Sequence, residues 1–144
     1  MTVEVFLKGA SGPSTAASIS RNGEVLIRRY TYDEAVYKEI GTDNTAVNFY
    51  GPKAGFQFVI TGIVLKADAQ VSINTDAEVV IYEASTATTT TADKVLFQTA
   101  MLKSDQLAVT GMQLLVNKGK YVNGKTSDDD IHATILGYYV PTED

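Results

Sequence analysis

The stretch "FQFVITGIVLKADAQVSINTDAEVVIYEA", residues 56–84, decides the fold. It contains two long runs rich in β-branched and aromatic residues, "FQFVITGIVLKA" (56–67) and "EVVIYEA" (78–84). Such residues fit a pleated, half-buried sheet better than a helix. Polar and turn-forming residues surround the shorter run "AQVSINT" (69–75) between them. The stretch therefore predicts three successive β-strands.

Short strand patterns continue on both sides of this stretch. They recur at near-regular spacing with turn residues between them, and no internal repeat is visible. This pattern predicts an all-β protein with a jelly-roll or β-sandwich fold. The further predicted strands are "TVEVFL" (2–7), a hairpin around Asn22-Gly23 in "ISRNGEVLI" (19–27), "AVNFY" (46–50), "KVLFQTAML" (94–102), "QLAVTG" (106–111), "QLLVN" (113–117), "GKYVNG" (119–124) and "IHATILGYYV" (131–140).

Three segments do not follow the strand pattern. In "TYDEAVYKEIG" (31–41), Thr31 and Glu34 have the spacing of a capping box and Gly41 suits a helix C-cap. A short helix near residues 31–41 is therefore an alternative to the favoured extended segment. The Thr-rich tract "STATTTTADK" (85–94) is predicted to be a long exposed loop, and "KGASGPSTAAS" (8–18) an ordered loop or an extended arm.

Length and charge limit the possible classes of protein. A chain of 144 residues predicts a single domain, 1–144, with residues 1–50 as a candidate N-terminal arm or attachment segment. The net charge of -5, with no basic cluster longer than Arg28-Arg29, argues against a nucleic-acid partner. No apolar run approaches the ~18 residues of a membrane span, and "MTVEVFLKGASG" lacks the apolar core of a secretory signal. We therefore expect neither a nucleic-acid nor a membrane partner.

The segment "GKYVNGKT" (119–126) matches the phosphate-binding pattern G-x-x-x-x-G-K-[ST]. That pattern binds phosphate only where a helix follows the loop. Here Ile131, Ala133 and Ile135 recur at every second position, which is the period of a strand. We therefore interpret Asn123-Gly124 as a tight turn between strands and expect no nucleotide binding by Lys125.

No residue emerges as a catalytic, cofactor-binding or metal-binding group. The chain has no cysteine, and its only histidine, His132, is predicted to face away from Ile131 and Ala133. A solvated turn is the favoured interpretation of Asp128-Asp129-Asp130, with a Ca²⁺ site as the alternative, since the spacing is not that of an EF-hand. We expect no serine nucleophile, because Ser85, Ser104 and Ser127 have no G-x-S-x-G setting and no adjacent base.

The eight tyrosines are the remaining candidate binding groups. Aromatic residues can form a sugar-stacking platform or an interface, but core packing with the hydroxyl at the rim is the favoured interpretation. The tyrosines in or near predicted strands are Tyr50, Tyr82, Tyr121, Tyr138 and Tyr139.

From Phe56 to Val140 the order of strands resembles the jelly-roll domains of tailed-phage virion proteins, namely head decoration proteins, head fibres and tail knobs. The features that carry the resemblance are "IYE" (81–83) before a polar loop, "GKYV" (119–122) near the end, and the final aromatic strand "IHATILGYYV". Residues 1–50 do not contribute to it. These domains have no catalytic motif, so the resemblance transfers no site residue.

The resemblance implies a non-enzymatic virion protein, assembled in the host cytoplasm. The leading expectation is a capsid decoration (cement) protein that binds the major capsid protein, or another virion protein, and stabilises the outer head surface. A homo-oligomer is expected, with a trimer favoured because it matches a threefold lattice axis. The alternative is a receptor- or carbohydrate-binding tail or fibre domain.

Overall fold

The computed structural model describes residues 4–6, 16–19, 25–27, 34–41, 44–68, 77–127 and 131–142. The chain divides into two compact units, residues 1–32 with 143–144, and residues 33–142. The described residues contain these β-strands: β1 (Glu4–Phe6), β2 (Ala16–Ile19), β3 (Val25–Ile27), β4 (Glu34–Ile40), β5 (Val47–Tyr50), β6 (Phe56–Ala67), β7 (Ala77–Ala84), β8 (Lys94–Met101), β9 (Gln106–Leu115), β10 (Tyr121–Thr126) and β11 (Ile131–Pro141).

The first unit contains a three-stranded antiparallel sheet in the order β1-β2-β3. Strands β2 and β3 pair with Ile19 opposite Val25, which confirms the predicted hairpin. Strand β1 lies within the predicted first strand. The Asn22-Gly23 dipeptide and residues 8–15 of the predicted loop or arm lie outside the described residues.

The second unit is a sandwich of two four-stranded antiparallel sheets. Sheet 1 has the order β5-β10-β7-β8, and sheet 2 has the order β4-β11-β6-β9. This arrangement confirms the prediction of an all-β sandwich or jelly roll. The domain boundaries predicted from the sequence, one domain over 1–144 with an arm in 1–50, stay a prediction.

The main core lies between the two sheets and follows from the alternation of buried and exposed residues, which is clearest at the end of β6. In β6, Ile63 and Leu65 are fully buried while Val64 and Lys66 are exposed. Inward residues of β6 lie beside apolar residues of β11, as Ile63 does beside Ile135. Burial of these branched side chains supplies the main favourable term in folding.

Gly137 of β11 lies beside a bulge in β6 and makes room for a large core ring. The register between β11 and β6 shifts between Leu136 and Gly137. A Cβ at Gly137 would lie 2.4 Å from Phe58 Cζ, so only glycine leaves space for that ring. The Phe58 ring stacks on Tyr50 with the ring centroids 3.8 Å apart, and the Tyr50 hydroxyl donates to the Ile135 carbonyl at 2.7 Å.

The short helix that the sequence offered as an alternative over residues 31–41 is wrong. Residues Glu34–Ile40 form strand β4, which pairs with β11 from Ile40 opposite Ile131 to Glu34 opposite Gly137. The backbone hydrogen bonds of this pairing outweigh the local capping signals, since propensity yields to tertiary context. Thr31 lies outside the described residues, as does the predicted strand "AQVSINT" (69–75).

The interpretation of Asn123-Gly124 as a tight turn is also wrong. Both residues lie inside β10, between β5 and β7. Glycine is required there by crowding, because a Cβ at position 124 would lie 2.9 Å from Phe49 Cε2. The turn occurs earlier, where the Lys120 amide donates to the Asn117 carbonyl and Gly119 has a φ of 78°.

Candidate functional site

Strand β7 is buried on both faces, and the Thr-rich loop accounts for its outer face. Val79 and Ile81 point into the main core, whereas Val80, Tyr82 and Ala84 form a second cluster on the other face of sheet 1. Ala92 of the loop that joins β7 to β8 packs against this second cluster. The loop therefore covers apolar surface that would otherwise face water.

Asn123 anchors the Thr-rich loop to sheet 1. Its side-chain amide donates to the carbonyls of Thr86 at 2.9 Å and Thr89 at 3.2 Å. Its side-chain oxygen accepts a hydrogen bond from the Asn48 amide at 2.9 Å. Asn123 is fully buried, so these bonds satisfy an amide group that would otherwise be costly to bury.

Two more side chains of sheet 1 hold the same loop. The Tyr82 hydroxyl donates to the Thr89 carbonyl at 2.7 Å, and burial raises the pKa of Tyr82 above its ordinary value. The Lys125 ammonium donates to the Thr90 carbonyl at 2.9 Å and lies 5.3 Å from the centre of the Tyr82 ring. Lys125, the lysine of the phosphate-binding pattern, therefore holds the Thr-rich loop and itself lies in strand β10.

The predicted exposed loop at residues 85–94 is confirmed as a surface segment, and its backbone is fixed. Most side chains from Ser85 to Asp93 are exposed. Within the loop, the hydroxyls of Thr86 and Thr89 lie 2.6 Å apart. At its end, the Lys120 ammonium donates to the Asp93 carboxylate at 2.8 Å. The loop presents threonine side chains on a backbone tied to the sandwich.

Glu83 lies near the end of β7 that leads into the Thr-rich loop. Its carboxylate is almost fully buried and accepts hydrogen bonds from the Asn117 backbone amide at 2.8 Å and from the Asn117 side chain at 3.0 Å. A buried carboxylate with two donors can shape the β9–β10 turn without a metal ion or a catalytic role. The sequence did not single out Glu83, because its partner lies 34 positions away.

A groove of about 300 Å³ lies on the outer face of sheet 1, beside the anchored loop. Its polar groups already have partners within the chain: the Gln98 amide donates to the Glu78 carboxylate, and the Ser127 hydroxyl accepts from the Glu78 backbone amide at 2.8 Å. The groove is mixed in character, with lining residues that include Glu78, Val80, Ala92, Val95, Gln98 and Lys125.

His132 lies on the outer face of sheet 2, opposite in direction to the buried Ile131 and Ala133 as the alternation predicted. Its Nδ1 is 2.6 Å from the Tyr37 hydroxyl, and its Nε2 is 3.7 Å from an Asp68 carboxylate oxygen. The sequence did not link Tyr37 or Asp68 with His132, since each lies far from it in the chain. The three side chains link β4, β11 and the end of β6.

The other candidate residues have structural positions. Ser127 accepts a backbone hydrogen bond, and Ser104 sits in a turn with a φ of 62°. Ser85 is exposed at the start of the Thr-rich loop. The predicted acidic turn Asp128–Asp130 lies outside the described residues.

Most tyrosines of the described residues are buried or partly buried, as the favoured interpretation predicted. Tyr50, Tyr82 and Tyr138 are buried, and Tyr121 and Tyr139 are partly buried. The Tyr139 hydroxyl donates to the Gly51 carbonyl at 2.9 Å. Burial, followed by the negative charge of Glu34, raises the pKa of Tyr139. Among the described tyrosines, only Tyr37 is largely exposed.

Within the ranges that the structure describes, no group of three or more histidine and acidic side chains could hold a metal ion. The same ranges contain no helix that is long and apolar enough to cross a membrane.

No protein-family model matches the chain, and a search of curated proteins found no match. Among solved structures, the chain is similar to one from the cyanophage Pam1 capsid asymmetric unit. The two chains are 17% identical and superpose with a TM-score of 0.44 over 77% of this chain and 86% of the other.

Proposed function

We propose that this chain is a structural protein of a phage virion, and that it acts as a capsid decoration protein on the outer surface of the head. The observation that carries the proposal is the use of polar side chains in sheet 1. Asn123, Tyr82 and Lys125 all hold the Thr-rich loop in place. In this proposal they stiffen a block and take no part in catalysis.

A rigid block suits a protein that reinforces a shell. Loops are usually the most mobile part of a domain, and a decoration protein gains from having few that can be cut or displaced. The loop between β7 and β8 is held by side chains of two strands, Asn123 and Lys125 of β10 and Tyr82 of β7. The order of strands from Phe56 to Val140, which resembles that of phage virion domains, supports the same role.

The proposed partners are the major capsid protein or another virion protein, together with further copies of this chain. A trimer is favoured because it matches a threefold axis of an icosahedral shell. The proposed place of action is the mature virion, and residues 1–50 are the proposed attachment segment. The proposed role includes no enzymatic turnover and no bound cofactor.

Heat stability of heads tests this proposal. Heads made without the protein are heated with and without the purified chain, and DNA release is followed with an intercalating dye. A decoration protein raises the temperature of release because it binds the intact shell and not the opened one. Identical release curves, with the chain bound or unbound, would count against the reinforcing role.

A second candidate function rests on the groove beside the loop. A receptor- or carbohydrate-binding domain needs a concave surface with polar groups, and the lining of the groove of about 300 Å³ includes Glu78, Gln98 and Lys125. A glycan array, run with calcium and with a chelator, separates this candidate from a lattice protein. Binding to one glycan that is lost in Gln98→Ala would favour the receptor role.

A further inference from the structure

Two neighbouring strands form one open side of the sandwich. β8 ends the order of sheet 1 and β9 ends the order of sheet 2, so each has an outer edge that no other described strand pairs with. A tight turn joins them: the Asp105 amide donates to the Leu102 carbonyl at 3.1 Å. We call residues 94–115 the β8–β9 side.

Exposed apolar side chains concentrate on this side. Of the five large apolar side chains that are exposed among the described residues, Val95, Leu102 and Leu115 belong to it, with exposed fractions of 48%, 46% and 49%. Val64, at 39%, is paired with Ala108 of β9 and so lies next to it. Apart from the buried Met101, the core residues on this side are only partly buried: Leu96, Phe97, Leu107, Met112 and Leu114.

The strands of the β8–β9 side carry fewer charged residues than the strands on the opposite side of the sandwich. The segments 95–102 and 106–116 contain no charged residue and no proline. On the opposite side, β5 is only four residues long and β4 carries Glu34, Lys38 and Glu39 within seven residues. Proteins protect edge strands from unwanted pairing with charges, prolines, bulges or short length. The segments 95–102 and 106–116 lack charges and prolines, and Lys94, Lys103 and Asp105 lie only at their ends, while each of the two strands has one register irregularity.

We infer that the β8–β9 side is the surface through which this chain binds a second copy of itself. The outer edge of an antiparallel strand is complementary to the same edge of a copy rotated by 180°. Each copy carries a net charge of -5, so two copies repel, and an uncharged edge is where they approach at the lowest electrostatic cost. Such a two-fold contact joins two copies, so this inference expects a dimer where the proposed function favours a trimer.

This inference rests on the self-association in the proposed function, and it adds the surface that makes the contact. Static light scattering of the purified full chain tests it with Ala108→Lys/Thr110→Lys, which puts two like charges on the exposed edge of β9. The matched control is Ala35→Lys on the exposed edge of β4. We expect the wild type and the control to have the same mass, a multiple of 15.5 kDa, and the β9 variant to have a mass of 15.5 kDa.

Cross-linking gives a second readout if the double variant folds poorly. The chain has no cysteine, so Gln113→Cys introduces a single thiol on β9 and Ala35→Cys a single thiol on β4. With a short bis-maleimide, we expect covalent dimers from Gln113→Cys and monomers from Ala35→Cys.

Three results would overturn the inference: a monomeric wild type, an oligomer that keeps its mass in a folded β9 variant, or dimers only from Ala35→Cys. A monomer that still binds phage heads would overturn this inference and leave the proposed function standing. An oligomer that depends on β9 but binds no heads would support this inference and contradict the proposed function.

Discussion

Asn123 and Thr86 are joined across 37 positions of sequence: the Asn123 side-chain amide donates to the Thr86 carbonyl at 2.9 Å. This bond ties the Thr-rich loop to the central part of sheet 1. The same amide reaches Thr89, so one side chain fixes the backbone at two points of the loop. The anchored loop in turn covers the second cluster around Tyr82.

Removing the anchor should loosen the loop and lower stability. Asn123→Ala loses the bonds to Thr86, Thr89 and Asn48, and we expect a drop of about 2–4 kcal/mol in the free energy of unfolding, at about 1 kcal/mol for each lost bond. Urea unfolding measures the drop, and limited proteolysis at 85–94 measures the loosening. Thr88→Ala, at an exposed position, is the control and should change stability by less than about 0.5 kcal/mol. Equal stability of the two variants would contradict the anchor.

Gly137 should tolerate no side chain. A Cβ there would lie 2.2 Å from the Val59 carbonyl oxygen and 2.4 Å from Phe58 Cζ, so Gly137→Ala should cost at least about 3 kcal/mol. Gly119→Ala is a suitable comparison, because position 119 has open space but a φ of 78°. It should cost about 1 kcal/mol from backbone strain alone. Thermal unfolding of both variants checks the order, and a Gly137→Ala as stable as Gly119→Ala would refute the packing of Phe58.

Stability should decline in strong alkali, partly through Tyr82. Burial raises the pKa of Tyr82 in the folded state, so the fold favours the neutral phenol. That contribution is fully present below pH ~10, the ordinary tyrosine value, and is lost as the pH rises through the folded pKa. In urea unfolding between pH 8 and 12, Tyr82→Phe should therefore decline less steeply than the wild type.

In Tyr82→Phe the loss of stability with rising pH should be reduced and not abolished, because Tyr139 also has a raised pKa. At pH 8 the variant should be less stable by about 1 kcal/mol, since Thr89 loses a hydrogen bond. Parallel curves for the two proteins above pH 10 would show that Tyr82 does not carry this dependence.

Lys125 should matter for the loop and not for nucleotides. Lys125→Ala removes the bond to the Thr90 carbonyl and should lower stability by about 1 kcal/mol, while the exposed Lys103→Ala should have almost no effect. Calorimetry with Mg²⁺ and ATP should give no binding heat for the wild type or for either variant. A Mg²⁺-dependent heat that Lys125→Ala abolishes would restore the phosphate-binding interpretation of residues 119–126.

The strands could be predicted from sequence wherever alternation or apolar content was strong, as in Phe56–Ala67 and Ile131–Pro141. The prediction of a tight turn at Asn123-Gly124 failed, because the glycine is there for a reason other than a turn. The glycine avoids Phe49, Ile40 and Ile81, which are distant in sequence and meet only in the folded sandwich. A local signal cannot distinguish a glycine selected by backbone geometry from one selected by crowding.

The loop anchor could not be predicted for a related reason. Thr86 and Thr89 accept through backbone carbonyls, which every residue has, so the loop sequence carries no mark of its partner. The role of Asn123 as an anchor can be recognised only when its burial is known, because a buried amide needs hydrogen-bond partners. The contacts of His132 with Tyr37 and Asp68 likewise depend on the order of strands in sheet 2.

Binding to phage heads tests the proposed function most directly. Heads that lack the protein are mixed with increasing amounts of the purified chain, sedimented through a sucrose cushion and analysed for bound protein. We predict saturable binding, with a fixed number of copies for each head, and no comparable binding to isolated tails. A chain that never sediments with heads, yet binds tails or a defined glycan, would contradict the decoration role.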